Sequence, residues 1–350
     1  MMTKEWQEAT AVIRPICNDD LDALIDIVSE ISAGVTSLPK DKDLLKKKIY
    51  DSSKAFAEEV ATPANESYLF VLQHSDTPSV IGVSGLLATV GTAGCYQIDT
   101  IEKSSKAIGI HMKIKVLYLT MVRGGPSEVC SLCLAKQWRE KKMGLLLSLS
   151  RFLFIRAFPE RFGDKVIGRM RGVIDKQLRS PFWDVIGKNF FDIDFSEADY
   201  IAYTHKDAII DLIPAHPIYV SLLPPSVQEV IGKSHANTIP AQKLLEKEHF
   251  TCSDYVDLFD GGPIFEASTK TIRTISQAKT GRIQEICDDS SAGEWYLASN
   301  LRLDFRCTVT QVLEKEEGLA ISLKTANVLQ IKKGEEIQYV PLPTKSSIWK

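Results

Sequence analysis

The fold of this chain is decided by two apolar runs, Glu128-Val-Cys-Ser-Leu-Cys-Leu134 and Leu145-Leu-Leu-Ser-Leu-Ser-Arg-Phe-Leu-Phe-Ile155. The first follows the turn residues Gly124-Gly125-Pro126-Ser127 and predicts a strand. The second is apolar almost all round, which is typical of a buried helix. The charged loop Trp138–Gly144 joins them. A strand, a basic loop with glycine and a helix start can hold an anion on free backbone N–H groups, but many α/β units share this order.

Composition limits the class of protein. The chain has 350 residues, which is room for two or three domains, and its 44% hydrophobic and 25% charged content is ordinary for a globular protein. A net charge of −3 disfavours broad binding to nucleic acid or anionic membranes. The longest apolar run, 143–158, is interrupted by Ser148, Ser150 and Arg151, so we expect no membrane span and, from residues 1–8, no signal peptide. Seven scattered cysteines predict reduced thiols and a cytoplasmic location.

The remaining pattern alternates strands and helices. The strands that it predicts are 12–15, 68–72, 80–86, 96–101, 115–121, 171–175 and 255–260. Amphipathic helices are expected after Asp19-Asp20, over 43–60, from Ser180-Pro181 onward, where Ser180 is the N-cap, and over most of 195–250.

From about residue 270 the sequence pattern changes to short runs of strand-forming residues, such as 305–313, 319–323 and the hairpin-like 331–340. We therefore expect two units, an α+β domain over 1–268 and a small β-barrel-like domain over 269–350.

The cysteine and serine patterns do not predict a metal site or a serine hydrolase. Cys130 and Cys133 lie in one strand, where odd spacing sends their side chains to opposite faces, and no second pair is near. Ser148 and Ser150 lack the glycines of a nucleophile elbow.

The order of strand, basic loop, buried helix, second strand and Pro-Phe-Trp helix resembles the GNAT-type acyl-CoA transferases. The phosphate loop of that family reads Arg/Gln-x-x-Gly-x-Gly at the start of a helix. Here it reads Arg139-Glu-Lys-Lys142-Met-Gly144, so Lys142 replaces the first glycine. A lysine beside a pyrophosphate is electrostatically reasonable. The resemblance implies a mixed sheet flanked by helices.

Finer segments resemble the bacterial arginine N-succinyltransferases. They occur in order over roughly 13–265: Ile13-Arg-Pro15, Gly34-Val-Thr-Ser-Leu-Pro39, Ser127–Leu134, Met170-Arg-Gly-Val-Ile-Asp175, Ser180-Pro-Phe-Trp183, Asp194–Tyr200, His216-Pro-Ile-Tyr219, Val230-Ile-Gly232 with His235, and Asp257-Leu-Phe-Asp-Gly-Gly-Pro263. This resemblance implies transfer of succinyl from succinyl-CoA to the α-amino group of arginine, with no permanently bound cofactor. Some members also take ornithine and pair two related subunits, so a homodimer or a heteromer is expected.

The resemblance also assigns site residues. The family's proton-donating histidine maps onto His235, with His216 as the rival, since a histidine can serve as acid or base near neutrality. Leu132 matches a succinyl-CoA contact, through its backbone, on the strand before the loop. Lys141, Lys142 and Gly144 are the phosphate candidates.

Binding of arginine calls for a carboxylate fork, because a planar guanidinium pairs with it in two parallel hydrogen bonds. The candidates are Asp257 and Asp260 beside the Gly-Gly turn, or else Asp192, Asp194, Glu197 and Asp199. Arg171 is expected to pair with the succinyl carboxylate or to form an internal salt bridge. Two alternatives remain open: transfer to ornithine or another amino acid, and a weakly active partner subunit, which the glycine-to-lysine change at 142 favours.

Overall fold

The computed structural model describes residues 10–30, 37–74, 79–91, 93–122, 124–139, 142–204, 213, 215–288 and 293–342. The α-helices in these ranges are α1 Leu21–Ser29, α2 Lys42–Ala57, α3 Met143–Ala157, α4 Pro181–Val185, α5 Lys188–Phe191, α6 Phe195–Thr204, α7 Pro225–Gln228, α8 Ile239–Lys247, α9 Arg273–Gln277 and α10 Leu323–Leu329. None of the helices within these ranges combines the length and apolar character needed to cross a membrane.

The strands supply one continuous hydrogen-bonded system. They are β1 Ala11–Pro15, β2 Ser67–His74, β3 Val80–Leu87, β4 Ala93–Ser105, β5 Ile110–Val122, β6 Ser127–Leu134, β7 Lys165–Arg169, β8 Ile218–Tyr219, β9 Thr251–Asp257, β10 Pro263–Ser268, β11 Lys279–Cys287, β12 Glu294–Ser299, β13 Cys307–Lys315, β14 Gly318–Ser322 and β15 Glu336–Pro341. The main sheet has the order β1-β2-β3-β6-β7-β10-β9-β4-β5-β8. All its pairs are antiparallel except β6 with β7.

Helices cover both faces of this sheet at β2 and β3. On one face, Leu24 of α1 and Ile49 of α2 pack with Leu69 and Val71 of β2. On the other face, α3 inserts Phe154 among Tyr68, Phe70 and neighbouring aromatic rings. This position explains why α3 is apolar almost all round, because the rest of the protein buries it on nearly every side. The expected mixed sheet flanked by helices is confirmed.

The carboxyl-terminal strands close into a barrel with the order β12-β15-β11-β14-β13, and β13 pairs again with β12. β13 also pairs with β1 at Cys307 and Ile13, which attaches the barrel to the edge of the main sheet. The expected β-barrel-like region is confirmed. The 331–340 run is not a local hairpin, because β15 pairs with β11 and β12.

Two other expectations are wrong. Residues 171–175 do not form a strand: β7 ends at Arg169, and the Gly172 N–H donates to the Asp260 side chain instead of a neighbouring strand. The described part of the region 195–250 is α-helical only in α6, α7 and α8, which are separated by turns and by the two-residue strand β8. Pro217 and Pro224 explain this, because proline cannot continue a helix.

Candidate active site

The parallel strands β6 and β7 are paired at one end only. Pairing covers Ser127 and Glu128 of β6, although β6 continues to Leu134 and β7 to Arg169. Further along β6, Ser131 has a φ of 55°, and the register with β3 shifts at this place. A residue of this kind marks a β-bulge, which bends the strand. The carboxyl ends of β6 and β7 therefore border an opening in the sheet, the kind of place where open α/β sheets bind ligands.

A buried arginine supports the bulge from the α3 side. Arg151 is 2% exposed, and its Nη1 donates to the carbonyl oxygen of Cys130 at 3.3 Å. Its other groups donate to Ser148, from Nη2 to Oγ at 2.9 Å and from Nε to the carbonyl oxygen at 3.2 Å. Burial lowers the pKa of Arg151 to about 10, so it stays charged near neutrality. This fixed donor holds the backbone at Cys130, two residues before Leu132. Leu132 is the predicted contact for acyl-CoA, and its half-buried side chain packs on the core.

The loop after β6 brings a helix N-terminus to the opening. α3 begins directly after Lys142, whose φ of 58° lies in the left-handed region. That conformation costs a non-glycine residue about 1 kcal/mol, which explains the glycine of the family pattern at this position. Gly144 packs closely on β6, since an added Cβ would lie 3.3 Å from Cδ1 of Leu134. The first N–H groups of α3, with Lys142 beside them, therefore suit a phosphate. Lys141 lies outside the described residues.

The residues that follow β7 pack closely against the turn after β9, and Gly172 and Gly262 permit this close approach. The N–H of Met170 donates to the carbonyl of Pro263 at 3.0 Å. Asp260 accepts from the Gly172 N–H at 2.7 Å and from the Gly262 N–H at 2.8 Å, one with each carboxylate oxygen. An added Cβ on Gly262 would lie 2.1 Å from the carbonyl oxygen of Met170, so only glycine permits this approach. Both oxygens of the buried Asp260 thus hold the backbone together.

His235 is attached to this turn through its backbone. Its N–H donates to the carbonyl oxygen of Arg171 at 2.8 Å, and the nearby Gly232 N–H donates to the carbonyl of Gly261 at 2.8 Å. Its Nδ1 accepts from the Asn237 N–H at 3.1 Å. This bond places the proton of the neutral ring on Nε2. Burial and the positive charge of Arg171 lower the pKa of His235, so the neutral form prevails.

A network of charged side chains surrounds these backbone contacts. Arg169 of β7 lies between two acids, with Nε 3.4 Å from Oε2 of Glu128 and Nη1 3.5 Å from Oδ2 of Asp257. Asp257 also caps its own turn, since its Oδ1 accepts from the N–H of Phe259 at 2.9 Å. Burial and the charge of Asp257 raise the pKa of Asp260, whereas its two backbone donors and Arg171 lower it.

Asp199 on α6 also belongs to this network. Burial and, to a smaller extent, the charge of Asp257 raise the pKa of its carboxyl to about 7, against the lowering effect of Arg171. Its Oδ1 is buried and meets no hydrogen-bond donor among the described residues. Burial lowers the pKa of Arg171, against the charges of Asp260 and Asp199.

The structure brings together most of the predicted residues. His235, Arg171, Asp257 and Asp260 meet at the end of β7, and a second group, Leu132, Lys142 and Gly144, lies along the end of β6 and the start of α3. The rival His216 is exposed, before β8. Of the acids named as alternatives, Asp194 pairs with Lys188, and Asp192 and Glu197 are exposed.

Two arginines of the site were not singled out from the sequence. Arg169 ends an apolar strand, and nothing in its neighbours marks it. Arg151 carries a signal, because a charge inside a helix that is apolar all round must find buried acceptors.

Two family models match the chain. That of the arginine N-succinyltransferase beta subunit matches residues 11–274, and that of the C-terminal domain of the same subunit matches residues 279–341.

Curated relatives and a solved structure agree with these matches. The chain is 37% identical over 338 residues to the arginine N-succinyltransferase of Enterobacter sp. (strain 638), covering 95% of this chain and 97% of that protein. It is 36% identical over 339 residues to that of Escherichia coli O1:K1 / APEC, with the same coverage of both chains. The arginine/ornithine succinyltransferase subunit AI from Pseudomonas aeruginosa superposes with a TM-score of 0.84 at 32% identity, over 96% of this chain and 99% of that one. The chain therefore belongs to the arginine N-succinyltransferase beta subunit family.

Proposed function

We propose that this protein is an arginine N-succinyltransferase, an acyl-CoA-dependent enzyme that transfers succinyl from succinyl-CoA to the α-amino group of L-arginine in arginine catabolism. Succinyl-CoA is a cosubstrate, and no permanent cofactor takes part. The observation that carries the proposal is the position of His235. Its backbone is tied to Arg171 at the open end of β7, across from the strand and helix start that suit an acyl-CoA.

The acyl-CoA lies along the end of β6. Its pyrophosphate accepts hydrogen bonds from the N–H groups at the start of α3 at Gly144, and Lys142 and Lys141 add positive charge. Its pantetheine arm follows the edge of β6 beyond Glu128, where pairing with β7 has stopped, and the backbone of Leu132 hydrogen-bonds an amide of the arm. This course directs the thioester toward the end of β7.

The reaction forms a C–N bond and breaks a C–S bond. The α-ammonium of arginine first loses a proton, and the free amine attacks the thioester carbonyl. Collapse of the tetrahedral intermediate expels the CoA thiolate, which takes up the second proton that the attacking nitrogen gives up as the amide forms. The Nε2–H of neutral His235 is the donor that the Asn237 contact leaves available, so His235 donates a hydrogen bond to the developing oxyanion or to the leaving sulfur.

The charged network interacts with the charged groups of the two substrates, the succinyl carboxylate and the cationic amino acid. Arg171 pairs with the succinyl carboxylate, since its positive charge acts on His235 and its backbone carbonyl binds the His235 N–H. Asp260 acts on Arg171, Asp257 acts on Asp260, and both aspartates contribute negative charge that attracts the cationic amino acid. Their oxygens already accept backbone hydrogen bonds, so their contribution is mainly through charge.

Assembly and location complete the proposal. We place the enzyme in the cytoplasm, and its seven cysteines, all free thiols, suit a reducing compartment. The solved relative is described as a subunit, and we propose that this chain likewise forms a homodimer or pairs with a related subunit. Light scattering on the purified protein tests this, since the mass of one chain alone would contradict it.

Product analysis tests the function. The protein is incubated with L-arginine and either succinyl-CoA or acetyl-CoA, and products are identified by mass spectrometry with fragmentation. The expected product is arginine succinylated on the α-nitrogen, formed much faster than acetylarginine. Formation of acetylarginine alone, or succinylation of the guanidinium, would contradict the proposal.

A further inference from the structure

We infer that Asp199 is the specificity-determining residue of this site, which binds the guanidinium of the amino-acid substrate and sets the preference for a cationic side chain. This inference rests on the proposed function and names the residue that recognises the acceptor. Three observations support it: the position of α6, the state of the Asp199 carboxylate and the charge balance of the network.

α6 places Asp199 at the edge of a core and beside the site. Phe195 and Ala198 are buried in a cluster with Tyr96 and Phe182, so this face of α6 packs against the main sheet and α4. The carboxylate of Asp199 lies within electrostatic reach of Arg171 and of Asp257. Arg171 in turn acts on His235 and binds its backbone, so Asp199 and His235 flank the same arginine.

The carboxylate of Asp199 differs from those of the other two aspartates of the network in its hydrogen bonds. Asp260 accepts from two backbone N–H groups, and Asp257 accepts from Phe259 and pairs with Arg169. The Oδ1 of Asp199 is buried without a donor among the described residues. A buried carboxylate oxygen without a donor is costly, and a ligand that supplies an N–H group removes that cost.

The network has more acids than bases around this oxygen. The charge of Asp257 acts on both Asp199 and Asp260, and these two act on Arg171, while Arg169 is shared between Asp257 and Glu128. A carboxyl that burial and a neighbouring acid hold partly protonated near neutrality becomes ionised when a cation binds beside it. A permanently charged, planar guanidinium with several N–H donors fits such an oxygen.

The test compares two acceptors of nearly the same shape, one with a cationic and one with a neutral end group. Citrulline has a urea where arginine has a guanidinium, so the ratio of their kcat/KM values isolates recognition of the side-chain cation. The wild-type protein, Asp199→Asn and Glu197→Gln are assayed with succinyl-CoA. Glu197 is an exposed acid on the same helix and serves as the matched control.

We expect Asp199→Asn to reduce the arginine-to-citrulline ratio by about 10- to 100-fold, chiefly through KM for arginine, and Glu197→Gln to leave it unchanged. An unchanged ratio in Asp199→Asn would overturn the inference. If the variant does not fold, the wild-type ratio is measured from about pH 6 to about pH 8. It should rise as Asp199 ionises beside Arg171, Asp257 and Asp260, and a flat ratio would overturn the inference. Absence of arginine-dependent turnover in the wild type would instead refute the proposed function.

Discussion

The backbone N–H of His235 donates a 2.8 Å hydrogen bond to the carbonyl oxygen of Arg171. This bond joins the loop that carries the proposed catalytic histidine to the end of β7, one of the two strands that border the opening in the sheet. The position of the imidazole therefore depends on the Gly-Gly turn that holds residues 170–172, and the chemistry of the site depends on backbone packing as well as on side chains.

Replacement of His235 by alanine should lower turnover by about 10²- to 10⁴-fold, because the Nε2–H hydrogen-bond donor is lost while the backbone bond to Arg171 remains. Steady-state kinetics with succinyl-CoA and arginine measure this, with thermal unfolding as a check on folding. His216→Ala is the matched control, since His216 is exposed and should be dispensable. Near-wild-type turnover in a folded His235→Ala protein would remove His235 from the mechanism.

Lys142 gives a prediction about the loop before α3. Lys142→Gly and Lys142→Ala both remove the charge, but only glycine adopts a φ of 58° without strain. Lys142→Gly should therefore be more stable than Lys142→Ala by about 0.5–1 kcal/mol in urea unfolding. Both variants should show a raised KM for succinyl-CoA. Equal stability of the two variants would mean that this backbone conformation carries no strain.

Gly262→Ala should destabilise the protein by about 2 kcal/mol or more, because the new Cβ would lie 2.1 Å from the carbonyl oxygen of Met170 and 2.5 Å from the nitrogen of Gly172. Turnover should fall as well, since residues 170–172 anchor His235. Gly163→Ala is the control, because its Cβ would meet only ordinary contacts at 3.7 Å. A Gly262→Ala protein as stable as Gly163→Ala would show that the two segments are not locked together.

Asp199 should make stability depend on pH. Its folded-state pKa of about 7 lies above the unfolded value of about 3.9, so the folded protein keeps a proton that the unfolded chain releases. This contribution is present below about pH 4 and is lost as the pH rises toward 7. The melting temperature of Asp199→Asn minus that of wild type should therefore increase over this range. Asp260, whose pKa is also raised, is present in both proteins and cancels. A constant difference would contradict the burial of a protonated Asp199.

Local signals in the sequence predict much of the fold. Ser180 caps α4 as expected, with its Oγ accepting from the Trp183 N–H at 3.2 Å, and the apolar run at 145–155 is the buried α3. Such features depend on neighbours in the chain. The short β-rich runs after residue 270 predict the barrel, and the family resemblance adds the main sheet.

The failed expectations concern residues whose partners are distant in sequence. The 171–175 segment has the composition of a short strand, but Gly172 bonds to Asp260, which lies 88 residues away. Three similar aspartates also differ in a way that the sequence does not show. Asp257 and Asp260 accept hydrogen bonds from backbone N–H groups, whereas one oxygen of Asp199 has no donor among the described residues. Sequence reasoning could name Asp199 only as one of several acids.

The deciding measurement is the release of free CoA thiol from succinyl-CoA, with arginine, ornithine, citrulline and no acceptor assayed in parallel on wild-type protein and His235→Ala. We expect release that depends on arginine, exceeds that with citrulline, and falls sharply in His235→Ala. Release that is the same with and without arginine, or none with any acceptor from folded protein, would contradict this expectation.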